Sequence, residues 1–168
     1  MARVSGERVV LSLGSNLGDR EATLRAGVAA IVALDGVSPV AASAIVETPA
    51  LKPHGIDIVA PAYLNAVLLI TSDAEPEELL VSLNEIERSL GRVRDERWGD
   101  RTLDIDIVAW GSRAVHSETL TIPHPRAASR DFVLAPWLEV DPGATLPEGT
   151  IASLLGEQPA RYPAEALL

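Results

Sequence analysis

Asp104 and Asp106 stand two residues apart in RTLDIDIVAW, directly after the arginine-rich run GRVRDERWGDR. On a β-strand, side chains at i and i+2 share a face. The spacing therefore sends both carboxylates one way and Leu103, Ile105 and Ile107 the other. Paired carboxylate oxygens suit magnesium and nearby guanidiniums suit phosphate oxygens, so this stretch has the chemistry to hold a magnesium polyphosphate. The same pattern also fits an exposed strand edge followed by solvated charge. Residue types alone leave both readings open.

The elements that must position these acids come from hydrophobic period. Arg8–Leu13 reads as a first strand ending in the turn-rich GSNLGD. Glu21–Leu34 has helical spacing through Leu24, Val28, Ile31 and Leu34, with Asp19 as its cap. Val40–Val46 reads as a second strand, and Leu64–Ile70 as a third beyond the proline- and glycine-bearing ETPALKPHGIDIVAPA. Pro76 opens a second helix through Leu79, Leu83, Ile86 and Leu90, with Gly91 as its stop. Thr102–Trp110 is the fourth strand. The order strand, helix, strand, strand, helix, strand predicts a split βαβ arrangement, an antiparallel sheet backed by two helices. Pro123, Pro125, Pro136 and Pro142 break up the C-terminal third of the chain, and Thr150–Gly156 forms a last short helix. At 168 residues, 1–168 is expected to be one domain.

The formal charge of −10 argues against non-specific binding to nucleic acid or to anionic membranes. Against that background, five of the 14 basic residues (Arg88, Arg92, Arg94, Arg97 and Arg101) fall in one short window, which suits a small polyanion in a cleft. Extended nucleic-acid binding calls for more stacking aromatics than the 4% present here. No apolar stretch is long and uncharged enough for a membrane span, and MARVSGERVVLSLGSN lacks a signal-peptide pattern. With no cysteine, a cytoplasmic location without disulfides is expected.

Four stretches carry a resemblance: LSLGSNLGDR at 11–20, YLNAV at 63–67, ERSLGRVRDERWGDRTLDIDIVAWG at 87–111 and LTIPHPRAASRDFVLAPWLEV at 120–140. In that order they resemble the 6-hydroxymethyl-7,8-dihydropterin pyrophosphokinase family of the folate pathway. The resemblance implies a ferredoxin-like βαββαβ core, mainly antiparallel, with helices on one face and added C-terminal elements. It also implies an enzyme that uses ATP and two magnesium ions to transfer pyrophosphate to the pterin hydroxymethyl group. A monomer with no obligate protein partner is expected.

Residue by residue, the resemblance makes Asp104 and Asp106 the magnesium ligands. It places Arg92 and Arg101 on the nucleotide phosphates, and Arg94, Arg97 and Trp98 in a loop closing over the site. His124 matches a phosphate-contacting histidine, Arg130 an active-site arginine, and Glu87 a position near the nucleotide that would equally suit a solvated side chain. Tyr63 and Phe132 match a ring-clamping aromatic pair, Asn65 a reader of the heterocycle edge, and Thr48 and Leu51 adjoining contacts.

The chain departs from the family pattern in two places. Asp100 stands where WGPR is usual, and the segment between Glu47 and Tyr63 is long. GSNLGDR lacks the GxxxxGK[ST] arrangement, and Lys52 is the sole lysine, so Gly14, Ser15 and Asn16 read as a strand-to-helix connection rather than a phosphate loop. His54 and His116 carry no expected role. Two other functions share part of this pattern. A magnesium-dependent transferase acting on another alcohol would need no ring clamp, and a nucleotide-binding regulator would show no turnover.

Overall fold

The computed structural model describes residues 7–52, 55–57, 62–90 and 102–168, without the side chains of 50–52 and 55–57. In chain order the elements are β1 (Arg8–Ser15), α1 (Arg20–Val32), β2 (Val37–Ala42), β3 (Val46–Thr48), β4 (Ala50–Lys52), β5 (Gly55–Asp57), β6 (Tyr63–Ser72) and α2 (Pro76–Ser89). After these come β7 (Asp104–Trp110), β8 (Val115–His116), β9 (Thr121–Ile122), α3 (Asp131–Val140), β10 (Thr145–Leu146), β11 (Gly149–Thr150), α4 (Ile151–Leu154) and β12 (Ala160–Arg161).

One sheet runs β12-β3-β6-β1-β7, with β2 also paired to β6. Every pairing in it is antiparallel. Taken as β1, α1, β2 with β3, β6, α2 and β7, this is the expected ferredoxin-like βαββαβ core. Strand alternation divides the apolar residues between two faces. Leu11 and Leu13 of β1, Leu64 and Leu68 of β6, and Ile105 and Ile107 of β7 bury against α1 and α2 through Leu24, Val28, Leu79 and Leu83. Val10, Val67, Leu69 and Val108 face the other way and pack with Val133, Leu134 and Trp137 of α3 and Ile151 of α4.

Both expected helices form. Asp19 caps α1, its Oδ1 accepting from Ala22 N at 3.1 Å. Pro76 opens α2, which buries Leu79, Leu83 and Ile86.

Four expectations need correction. β1 continues through Gly14 and Ser15 instead of turning at GSN, because those two residues pair with Asn65 and Leu64 on β6. The strand expected over Val40–Val46 is two strands. Between them the Ser43 hydroxyl takes the Val67 N–H at 2.9 Å and donates to Ala44 O at 2.7 Å, while Ala44 N donates to Glu139 Oε2 at 2.8 Å. A side chain thus stands in for the backbone ladder and ends it there.

The third correction is α3, a ten-residue helix with Pro136 inside it. A proline within a helix costs about 3 kcal/mol. Val133, Leu134 and Trp137 are each at most 3% exposed. Burying such side chains contributes roughly 1.5–3 kcal/mol apiece, so packing outweighs the break. The expected last helix shortens to α4, capped by Thr150, whose Oγ1 accepts from Ser153 N.

Candidate active site

The strand register builds the site on the α3 face of the sheet. Gly14 of β1 pairs with Asn65 of β6 on one side and with Asp104 of β7 on the other. One alternation along, Ser12 pairs with Val67 and Asp106. Residues opposite one another on neighbouring strands present side chains to the same face. The row from Asn65 across Gly14 to Asp104 is therefore continuous, with Asp106 beside it. Ile105 and Ile107 are buried on the α1–α2 side while Asp104 and Asp106 are half-buried, as the two-residue spacing predicts.

Gly14 is what keeps this row open. A β-carbon there would lie 2.7 Å from Asn65 Oδ1 and 3.6 Å from Tyr63 Cδ1. Both side chains therefore converge on the space above it. Asn65 is 4% exposed, and its Nδ2 donates to Thr48 Oγ1 at 3.3 Å, which turns the amide oxygen toward Gly14. Thr48 in turn pairs with Tyr63 across β3 and β6. Three residues expected to contact one flat ligand, Thr48, Tyr63 and Asn65, thus lie together. Leu51 is in β4, beyond the described side chains.

Asp106 has a cationic neighbour. Arg130 Nη1 is 4.0 Å from Asp106 Oδ2, and its guanidinium carbon lies 5.6 Å from the centre of the Phe132 ring. Phe132 is half-buried at the start of α3 and packs against the core on that face.

His124 is fixed by a β-bulge. Between Val10 and Leu11 the β1–β7 register slips, and the Val108 carbonyl accepts from His124 N at 2.8 Å. Burial holds the His124 imidazole below its usual range, Arg130 and Arg126 push the same way, and Asp104 opposes them. Its Nδ1 accepts from Arg126 N at 3.1 Å, so the neutral ring keeps its proton on Nε2 as a donor.

Glu87 is neither solvated nor on this open face. It is 2% exposed, and its Oε2 accepts from Ile105 N at 2.7 Å. The residues expected on the phosphates and in the closing loop (Arg92, Arg94, Arg97, Trp98 and Arg101) lie outside the described residues, as does His54. His116 is exposed on β8.

The family model for 7,8-dihydro-6-hydroxymethylpterin-pyrophosphokinase matches residues 10–142. The chain belongs to that family. Within that match fall both acids, Gly14, the Thr48–Tyr63–Asn65 group, His124, Arg130 and Phe132.

Among similar proteins, the 2-amino-4-hydroxy-6-hydroxymethyldihydropteridine pyrophosphokinase of Methylorubrum extorquens is 39% identical over 150 residues, covering 89% of this chain and 92% of its own. The enzyme of the same name from Mycobacterium tuberculosis is 44% identical over 151 residues, covering 83% of this chain and 75% of its own. Among solved structures, Plasmodium falciparum HPPK-DHPS with pteroate has the same fold, with a TM-score of 0.67 at 14% identity over 92% of this chain. This chain spans 43% of that longer one.

Gly14 is the residue whose role sequence reasoning missed, because GSN before a helix looks like a turn. Its signal lay in the strand pairing, which puts a residue without a side chain between an amide and a carboxylate.

Among the described residues no three acids or histidines gather into a metal cage. Two half-exposed carboxylates on one face nevertheless fit magnesium, which takes few protein ligands and completes its octahedron with water and phosphate oxygen. No helix among the described residues is long and apolar enough to cross a membrane.

Proposed function

We infer that this chain transfers the pyrophosphoryl group of ATP to the hydroxymethyl group of 6-hydroxymethyl-7,8-dihydropterin, giving AMP and the pterin diphosphate. The observation that supports this is the row Asn65–Gly14–Asp104, in which the amide of Asn65 and the carboxylate of Asp104 share one face on either side of a residue without a side chain. The chain acts as a single domain and a cytoplasmic monomer. The single-domain reading is supported by β12, near the C-terminus, which joins the same sheet as β1.

Asp104 and Asp106 would hold two magnesium ions. Such ions, when bound, polarise phosphoryl oxygens and lower the pKa of the attacking hydroxyl. The chain's own residues supply the alignment. Asn65 offers Oδ1 to an N–H on the heterocycle edge, steadied by Thr48. Tyr63 and Phe132 would give apolar area to the two ring faces, and Arg130, stacked on Phe132 and 4.0 Å from Asp106, would offer its charge to phosphate oxygen. His124 donates from Nε2 without needing a positive charge.

Arg92, Arg101, Arg94 and Arg97 serve the phosphates, and Trp98 excludes water over the bound pair. These roles rest on the family resemblance of GRVRDERWGDR. The pterin oxygen bonds to the β-phosphorus as the bond from that phosphorus to the α–β bridging oxygen breaks. AMP leaves and the hydroxyl proton passes to water. Fixed donors and held orientation then account for the rate without a dedicated general base.

Turnover of ATP with the pterin in the presence of magnesium, with nucleotide products separated, tests this reading. AMP as product supports it. ADP as the nucleotide product would overturn pyrophosphoryl transfer, and equal turnover of simple alcohols would overturn the pterin assignment.

A further inference from the structure

Glu87 is a buried acid that the chemistry above does not use. Its surroundings are unfavourable for a carboxylate. It sits in the last turn of α2, where the helix dipole disfavours an anion, and it follows Ile86 on the buried side of that helix. Burying a carboxylate needs a specific compensating partner. A backbone group on β7 is such a partner: Ile105 N donates to Glu87 Oε2 at 2.7 Å, a short bond.

That amide lies at a particular place. Among the described residues β7 is the terminal strand of its sheet and pairs with β1 alone. Along an edge strand, alternate N–H groups point away from the neighbour. Ile105 is one of these, and it is the residue between Asp104 and Asp106. Its side chain is pinned from below in the core with Leu13 and Ile86. Its amide is held from the side by Glu87. The peptide that carries both acids is therefore fixed in two directions.

We propose that Glu87 is a positioning residue for the acidic pair, gripping the Ile105 peptide so that Asp104 and Asp106 keep the spacing and direction that magnesium requires. This rests on the metal-binding reading of those two acids. It differs from the nucleotide contact that the resemblance implies for Glu87: a carboxylate 2% exposed and bonded to β7 would act through the strand. A ligand pair on a strand edge with nothing gripping it would fray, and a small rotation of the peptide would part the two carboxylates.

The test compares Glu87→Leu, which removes the acceptor, with Glu87→Gln, which keeps an acceptor oxygen without the charge. Three quantities are measured on the full chain. They are hydrogen exchange of the Ile105 amide without ligand, calorimetric binding of magnesium with a non-hydrolysable ATP analogue, and kcat with KM for the pterin. In Glu87→Leu the amide's protection is expected to fall by about tenfold or more, the half-saturating magnesium to rise by about tenfold, and kcat to drop with it. KM for the pterin stays within about twofold, which a general loosening of the fold would not allow. Glu87→Gln is expected to restore amide protection and bring half-saturating magnesium within about threefold of the parent chain.

Should Glu87→Leu fail to fold, Glu87→Asp, one methylene too short to reach the same atom, takes its place. Unchanged magnesium binding in a folded variant lacking the acceptor overturns the proposal. So does a Glu87→Gln variant as impaired as Glu87→Leu, which would make the charge itself a ligand contact. Asp104→Asn and Asp106→Asn separate the two layers. If they leave magnesium binding intact, the metal reading itself falls. If they abolish it while Glu87→Leu does not disturb it, only the role of Glu87 falls.

Discussion

Gly14→Ala adds one methyl group to the floor of the site, and the geometry sets its consequence. Gly14 is not among the glycines with positive φ, so alanine fits the backbone and the whole effect is steric. The new β-carbon would stand 2.7 Å from Asn65 Oδ1, closer than any real β-carbon contact, whereas Tyr63 Cδ1 at 3.6 Å is already at ordinary contact distance. Asn65 must therefore yield. It is 4% exposed on a central strand, and its retreat strains the Nδ2 bond to Thr48. Overpacking of this kind costs about 1–3 kcal/mol, offset by about 0.4–1 kcal/mol from the stiffer unfolded chain. A net loss of about 1–2 kcal/mol lowers the melting temperature of a domain this size by about 2–8 °C.

The ligand effect should be one-sided. On the proposed role of Asn65 at the heterocycle edge, misdirecting its amide forfeits about 1–2 kcal/mol, or roughly tenfold in pterin affinity. ATP-analogue affinity should stay within about twofold, because the phosphate contacts proposed for this site come from β7 and Arg130 and not from Asn65. Calorimetric titration of each ligand measures both. Gly27→Ala serves as the control. It crowds Leu103 and Leu13 at 3.1 and 3.3 Å, but these are flexible side-chain ends on the opposite face of the sheet. The gain in helix propensity of about 1 kcal/mol offsets that crowding, and pterin affinity should not move. Parental pterin affinity in Gly14→Ala, or equal loss of both ligands, would refute the claim that Gly14 sets the aim of Asn65.

Asp104→Asn and Asp106→Asn should each lower turnover by well over tenfold, more than about 1.4 kcal/mol of transition-state stabilisation, with unchanged circular dichroism; near-parental rates at saturating magnesium would remove that acid from the mechanism. Phe132→Ala should weaken pterin binding more than nucleotide binding, by about 0.5–1.5 kcal/mol beyond lost area. It should also lower the melting temperature, since the ring packs on the α3-side core; equal losses for both ligands would make it packing alone. His124 carries a pH signature. Its folded imidazole is a weaker base than the unfolded one, whose ordinary pKa is 6.5. As pH falls through that value the unfolded chain takes up the proton first, so the His124 contribution to stability is present above it and lost below. Thermal melts from about pH 7.5 to 5 should fall more steeply in the parent chain than in His124→Gln, and parallel curves would contradict this.

Local pattern determines the parts of the fold that the sequence made legible. The acids of β7 were legible because a two-residue period with Leu103, Ile105 and Ile107 opposite them leaves little choice of face. The two helices of the core were legible from their caps and apolar stripes. The features that escaped were set by partners distant in sequence. Nothing about Ser43 in an alternating run announces that its hydroxyl will take the Val67 amide and split a strand. Pro136 argued against a helix until three large side chains buried beneath it outweighed its cost.

Glu87 shows the limit most clearly. In the sequence it is one more charge before an arginine run, equally suited to solvent or to a nucleotide. Its meaning comes from the edge of β7, where an amide between two acids would otherwise lack a partner within the sheet. The same physics that makes an edge strand a liability makes it a place where one buried carboxylate can decide how two half-exposed ones are aimed. A site built on such an edge is legible in its ligands before it is legible in what holds them.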